Sequence, residues 1–178
     1  MSTKQINFVV IAYLLFSGAT MTEASEKVSG WGRVSMQGSI IDSACSIDTD
    51  SLEQTIDMDT IATSEIIRNG QGRSKSFSIN LVNCSLKQSD NSDWYQFQIT
   101  FDGDHDGKLF GVNGSASGVG LQIIDSFGNV AMPGDAMPLM DLVPGDMRLN
   151  YNMKLMANSH VLKAGSYYSH IRFKLDYF

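Results

Sequence analysis

The sequence predicts an all-β domain, and three observations carry the prediction. Apolar and polar residues alternate in segment after segment, the period of a half-buried strand, while helical periodicity is nearly absent. The 178 residues are 43% apolar and 10% aromatic, with 16 Gly and 3 Pro, a composition that suits short strands and turns and fills about one core. Two cysteines, Cys45 and Cys84, stand in a chain that opens with an export signal, so they are expected to pair in an oxidising compartment.

The export signal is assigned to residues 1–24. Lys4 supplies a positive start, residues 6–16 run apolar for eleven positions broken only by Asn7, and Ser17, Gly18 and Ala19 follow. Cleavage after Ala19 or after Ala24 satisfies the small-residue rule; the site after Ala24 is preferred and gives a mature chain from Ser25. A spanning helix needs roughly 20 apolar residues, and no stretch of this chain has them, so no transmembrane segment is expected. Removing Lys4 and Glu23 takes one base from 13 and one acid from 19, leaving the formal charge at −6. Such a chain has no basic footprint for nucleic acid or anionic lipid.

Val34, Met36, Gly38 and Ile40 share one parity in a first segment that ends near Cys45, and Leu52, Ile56 and Met58 mark a short second one. Residues 60–74 read as a loop through Asn69-Gly70-Gln71-Gly72, in which residues 61–68 can form one helical turn. Phe77, Ile79 and Leu81 alternate toward Cys84, and a polar connection over residues 85–93 leads to a strand with Tyr95, Phe97, Ile99 and Phe101. A Cys45–Cys84 bridge ties these early strands, and closing a loop of about 40 residues stabilises by roughly 4 kcal/mol in the chain-entropy view.

An acidic turn at residues 102–107, a flexible Gly/Ser-rich connection at 111–118, a strand at 119–124 and a turn at Ser126-Phe127-Gly128-Asn129 follow. Pro133, Pro138 and Pro144, within twelve residues, predict an irregular crossing between two sheets. Leu149, Tyr151, Met153 and Leu155 restore the alternation, residues 157–160 turn, and residues 165–178 end the chain as a strand. Six or seven short antiparallel strands with one disulfide describe an immunoglobulin-like β-sandwich better than a barrel, though periodicity alone does not separate the two.

Sites of other chemistry are tested and set aside. Asp102-Gly-Asp-His-Asp-Gly107 matches the opening of a calcium loop, but its twelfth position is Asn113 in place of the bidentate Glu, and a strand precedes it where a helix belongs. A solvated acidic hairpin is the preferred reading. Residues 111–118 lack the Lys-Ser/Thr ending of a phosphate loop. No serine sits in a Gly-x-Ser-x-Gly elbow, and His105, His160 and His170 are scattered, so neither an enzyme nor a metal or cofactor site is expected.

The last segment is the most informative. Tyr167, Ser169, Ile171, Phe173, Leu175 and Tyr177 share one face, and His170, Arg172, Lys174 and Asp176 share the other. Gly165 stands fourteen residues from the C-terminus and Tyr177 is the penultimate residue. Those features, with the opening Gly-Arg-Val-Ser-Met-Gln-Gly-Ser-Ile-Ile-Asp-Ser-Ala-Cys at residues 32–45 and Phe77-Ser-Ile-Asn-Leu-Val-Asn-Cys ending at Cys84, resemble the pilins of chaperone-usher fimbriae over essentially the whole mature chain.

The resemblance implies an immunoglobulin-like sandwich lacking its last strand, with an apolar groove left along the C-terminal edge. A periplasmic chaperone would lend a strand there, and at the outer-membrane usher the N-terminal arm of a neighbouring fimbrial subunit would replace it, by donor-strand exchange. The donor arm would be residues 25–38, with Gly32, Val34 and Met36 facing the neighbour's groove, and residues 39–178 the pilin domain. Taken alone, Val34 and Met36 read equally as the start of the first core strand. The chaperone-contacting strand would run from Gly165 through Tyr167, Ile171, Phe173, Leu175 and Tyr177, with the Phe178 carboxylate anchored by basic chaperone residues. Ser169 interrupts the apolar row.

Within the family, Phe101-Asp-Gly, residues 120–129 and Leu162-Lys-Ala-Gly-Ser-Tyr-Tyr are similar to terminator-like minor subunits of P-pilus-type fimbriae. The expected role is therefore a minor structural subunit of an adhesive fimbria, exported through the periplasm to the cell surface. A terminator whose groove accepts no further subunit is the alternative, and an unrelated secreted sandwich that serves as a binding module a distant one. The chain has no room for the receptor-binding domain that precedes the pilin domain in a tip adhesin, and no small-molecule substrate is expected.

Overall fold

The computed structural model describes residues 32–178. The expected leader, both cleavage positions and residues 25–31 of the expected arm lie outside the described residues. The chain divides into two units, one ending at Ser39 and the other spanning Ile40–Phe178. Residues 32–39 of the first contain neither strand nor helix, and all their side chains are exposed. The expectation that the first strand starts here is corrected, since Val34 and Met36 are 90% and 94% exposed. Two apolar residues spaced among Gly, Ser and Gln offer too little area to hold a strand without a sheet beside it.

The second unit begins its structure at the disulfide. Cys45 and Cys84 are bonded, and strand β1 (Ser46–Ile47) pairs antiparallel with strand β2 (Gln71–Cys84), Ser46 opposite Val82. Between them, Leu52 does not join a strand with Ile56 and Met58 as expected. Residues Thr49–Leu52 form a helical turn, α1, in which Ser51 is the buried member and its Oγ accepts the Asn80 N–H at 2.9 Å. Helix α2 (Thr63–Asn69) buries Ile66 and stops at Gly70, whose φ of 70° and N–H bond to the Ile66 carbonyl close the last turn. Strand β2 then starts at Gln71, so the expected loop is three residues too long at its end.

The remaining strands are β3 (Gln96–Asp102), β4 (His105–Asp106), β5 (Leu109–Phe110), β6 (Asn113–Gly114), β7 (Val119–Asp125), β8 (Val130–Ala131), β9 (Met140–Asp141), β10 (Gly145–Ala157), β11 (Tyr167–Tyr168) and β12 (Arg172–Tyr177). The larger sheet has the order β1-β2-β10-β7-β5-β4, with β8 on β7; the smaller has β12-β3-β9; β11 pairs β6. Every ladder is antiparallel. The acidic residues 102–107 form the expected hairpin, through β4 and β5. The proline-bearing segment leaves β8 in the larger sheet and reaches β9 in the smaller, which is the expected crossing.

Alternation puts the core between the two sheets. Ile79, Leu81, Tyr151, Leu155, Leu121 and Ile123 from the larger sheet face Phe97, Ile99 and Phe101 from the smaller, and all are essentially buried. Phe101 meets Tyr151 edge-on at 5.1 Å between centroids, and Tyr151 stacks on Phe77 at 5.4 Å. This is the predicted all-β sandwich with one disulfide.

Candidate strand-addition groove

The end of the chain supplies one wall of the candidate site. Phe173, Leu175 and Tyr177 of β12 stand opposite Phe101, Ile99 and Phe97 of β3. The three β3 residues are 2% exposed or less, whereas their three partners are only half-buried, although both rows face the same core. Cross-strand neighbours on one face normally share their burial, so the apolar row of β12 lacks cover on its far side.

The backbone agrees with the side chains. Phe178 and Gln96 exchange both N–H···O bonds, at 2.8 and 3.0 Å, which makes them a hydrogen-bonded pair. In an antiparallel ladder such pairs alternate, so Asp176, Lys174 and Arg172 also bond toward β3, while the N–H and C=O groups of Tyr177, Leu175 and Phe173 point to the opposite edge. Among the described residues no strand pairs with that edge. The three residues with uncovered side chains are thus the three with unpaired backbone.

The opposite wall is residues 43–61. At one end the Tyr177 hydroxyl is pushed up in pKa by burial and lies beside Ser43 and the Cys45 backbone, which pull the other way, though no hydrogen bond of good geometry forms. At the other end burial raises the Tyr167 hydroxyl, reinforced by Asp57 and Asp59, which places those carboxylates near it. Ile47, Ile56, Met58 and Ile61 lie between or just beyond these points, half-buried against the core. Residues 54–57 stand off the β2 edge and leave a cleft of about 590 Å³ that reaches Phe77 and Tyr151. The wall therefore runs opposite in direction to the last strand, with a half-covered apolar floor.

Gly165 has a structural cause. A Cβ there would meet Ser115 Oγ at 2.5 Å and the Ala116 backbone nitrogen at 2.6 Å, so only glycine fits. Residues 111–118, expected to be a flexible connection, are instead tied down: β6 pairs β11, Ser115 and Ala116 donate to the Ser166 carbonyl, and Ser117 exchanges backbone bonds with Lys163. Small side chains made that loop look pliable in sequence, and they are what lets its backbone lie this close. The last strand is also split: residues 169–171 leave the ladder between β11 and β12, yet exposure still alternates from Tyr167 through Leu175. Ser169 explains its place in the apolar row, since its Oγ donates to the Gly111 carbonyl at 2.7 Å.

The base of the expected arm is fixed. Asp42 Oδ2 accepts from the Ser89 N–H at 3.1 Å and from its hydroxyl at 2.8 Å, which draws the Asp42 pKa down. The Ser85 N–H donates to the Ala44 carbonyl, and the disulfide follows at once. Before this anchor, Ile41 and Ile40 are 79% and 103% exposed.

These features belong to a recognisable architecture, and comparison of the chain with known families decides which. The family described as Fimbrial protein matches residues 34–177. The chain belongs to that family. It is a fimbrial subunit of the chaperone-usher type, a structural pilin and not an enzyme, which assembles with other subunits in an extracellular pilus. The PRS fimbrial minor pilin protein of Escherichia coli is 29% identical over 150 residues, covering 82% of this chain and 77% of that protein. The Fimbria A protein of Serratia marcescens is 30% identical over 179 residues, covering 97% and 99%. The crystal structure of the P pilus rod subunit PapA superposes with a TM-score of 0.66 at 22% identity, over 76% of this chain and all of that one, and shares the fold.

In this fimbrial subunit Tyr167, Ile171, Phe173, Leu175 and Tyr177 line one wall in the expected alternation, with Phe178 just past its end as an outward-facing residue. Gly32, Val34 and Met36 are exposed in the first unit. What the sequence reading missed is the second wall: Ile56 and Met58 were legible as an apolar pair at strand spacing, but nothing in their order showed that they face the last strand instead of joining a ladder. His105, His160 and His170 are exposed, and the described residues contain no cluster of three metal-binding side chains.

Proposed function

We propose that this subunit is incorporated into its fimbria by donor-strand exchange at the free edge of β12, as a minor structural subunit. The observation that carries the reading is the coincidence at Phe173, Leu175 and Tyr177 of a half-buried apolar row with backbone groups aimed at an unpaired edge. An added strand satisfies both at once: its main chain completes the ladder, and its alternate side chains cover the row. A periplasmic chaperone supplies that strand first, and at the outer-membrane usher a neighbouring subunit's arm takes its place. The arm of this subunit, residues 25–38, enters the neighbour's groove through Val34 and Met36, with Gly32 at a position of close approach. The minor role is supported by the similarity to relatives named minor pilins.

The test is a mixing assay. The chaperone-bound protein is incubated with a peptide copying a shaft subunit's arm, and release of chaperone is scored beside a shaft subunit treated alike. Release places the subunit inside the fibre with an open groove. Retention, with the shaft subunit exchanging, identifies a terminator, and failure to bind the chaperone at all contradicts strand addition.

A further inference from the structure

We infer that, before it is captured, this subunit covers the open edge of its last strand with its own arm, residues 32–40 docking parallel to residues 169–177. The inference rests on the groove reading above and adds an occupant from the same chain.

Position and direction come first. Ser43 lies beside the Tyr177 hydroxyl, and the wall that starts at Ser43 runs opposite to the last strand. The arm joins that wall through Ile41 and Asp42, and a two-residue reversal there is the shortest link between antiparallel strands. An arm turned back at this point therefore enters the groove at the Tyr177 end and lies antiparallel to the wall, hence parallel to the last strand.

Length and pattern then fit together. From Ile40 back to Gly32 is eight steps, about 26 Å in extended form, the same as from Tyr177 back to Ser169. In this register Ile40 meets Tyr177, Gly38 meets Leu175, Met36 meets Phe173, Val34 meets Ile171, and Gly32 meets Ser169. The apolar side chains of the arm fall beside the apolar row of the strand, and the two glycines leave room at Leu175 and at the one polar position. Ile40, Met36 and Val34 are 103%, 94% and 90% exposed as the chain now stands, so they gain most from such cover. A cis arrangement forms without a second molecule and keeps an aggregation-prone edge closed until a stronger strand displaces it.

The test compares the mature chain with Val34→Asp/Met36→Asp, both purified without chaperone and monomeric by light scattering. Those side chains are exposed here, so the substitutions act on stability only through docking. The inference predicts a melting temperature lower by at least about 10 °C in the variant, by the same amount at 2 µM and at 50 µM protein, roughly as expected for losing the burial of two side chains. Equal melting temperatures, or a difference that grows with concentration as a contact between molecules requires, overturn it. A synthetic peptide of residues 28–41 added to the variant separates this failure from a wider one. If melting temperatures are equal yet the peptide raises the variant's, the groove stands and only its cis occupant is wrong; if the peptide has no effect either, the groove reading falls too.

Discussion

Gly165 is the residue whose role is least visible in sequence and plainest in space, because its α-carbon touches the backbone at Ser115 and Ala116. Gly165→Ala is expected to cost about 1–3 kcal/mol, as overpacking against main chain does, read as a lower midpoint in urea unfolding. The disulfide is worth more: replacing Cys45 and Cys84 together by Ser is expected to lower the melting temperature by roughly 8–16 °C, from a loop-closure contribution of about 4 kcal/mol. Tyr151 gives a pH signature. Burial, with Asp125 adding to it, raises the pKa of its phenol above the ordinary 10.0, so the folded state holds the proton more tightly than the unfolded one. Its contribution is complete below pH 10 and is lost as the pH climbs beyond it, and Tyr151→Phe should flatten that alkaline decline in a series of melting temperatures. Cysteine pairing was legible from export and an even count; the need for glycine at 165 was not, because it depends on a loop fifty residues away.

The last strand shows how much of an element the sequence can express. Alternation over residues 167–177 identified the apolar row and its polar counterpart, and both faces are where the period of two put them. The split at residues 169–171 escaped notice because side-chain parity continues through it while the pairing changes from β6 to β3. The second wall escaped notice for the opposite reason: Ile56 and Met58 alternate like a strand but their backbone stands away from β2. If the groove works as proposed, Phe173→Ser should weaken chaperone capture by roughly tenfold or more, since a half-covered aromatic loses its partner surface. Lys174→Ser, one residue on and facing out, should change capture less than twofold in the same pull-down.

At the scale of the molecule, two incomplete parts have different jobs: a sandwich with an uncovered edge, and an exposed arm ahead of the Asp42 anchor. Deleting residues 25–38 is expected to leave the chaperone complex intact and to block incorporation into fimbriae, scored by subunit content of purified fibres. The general plan was readable because secretion, one bridge and a patterned C-terminus leave few alternatives; the placement of the arm's base beside Tyr177 was not, since it arises only when the two ends of the domain fold together. The claim on which all of this turns is that a foreign strand pairs with the outer edge of β12. Amide hydrogen exchange, resolved residue by residue in the chaperone-bound subunit, addresses it directly. Strand addition predicts that the Phe173, Leu175 and Tyr177 amides are protected as strongly as those of Arg172, Lys174 and Asp176; protection of the second set alone would mean that the edge stays open and that the chaperone holds the subunit elsewhere.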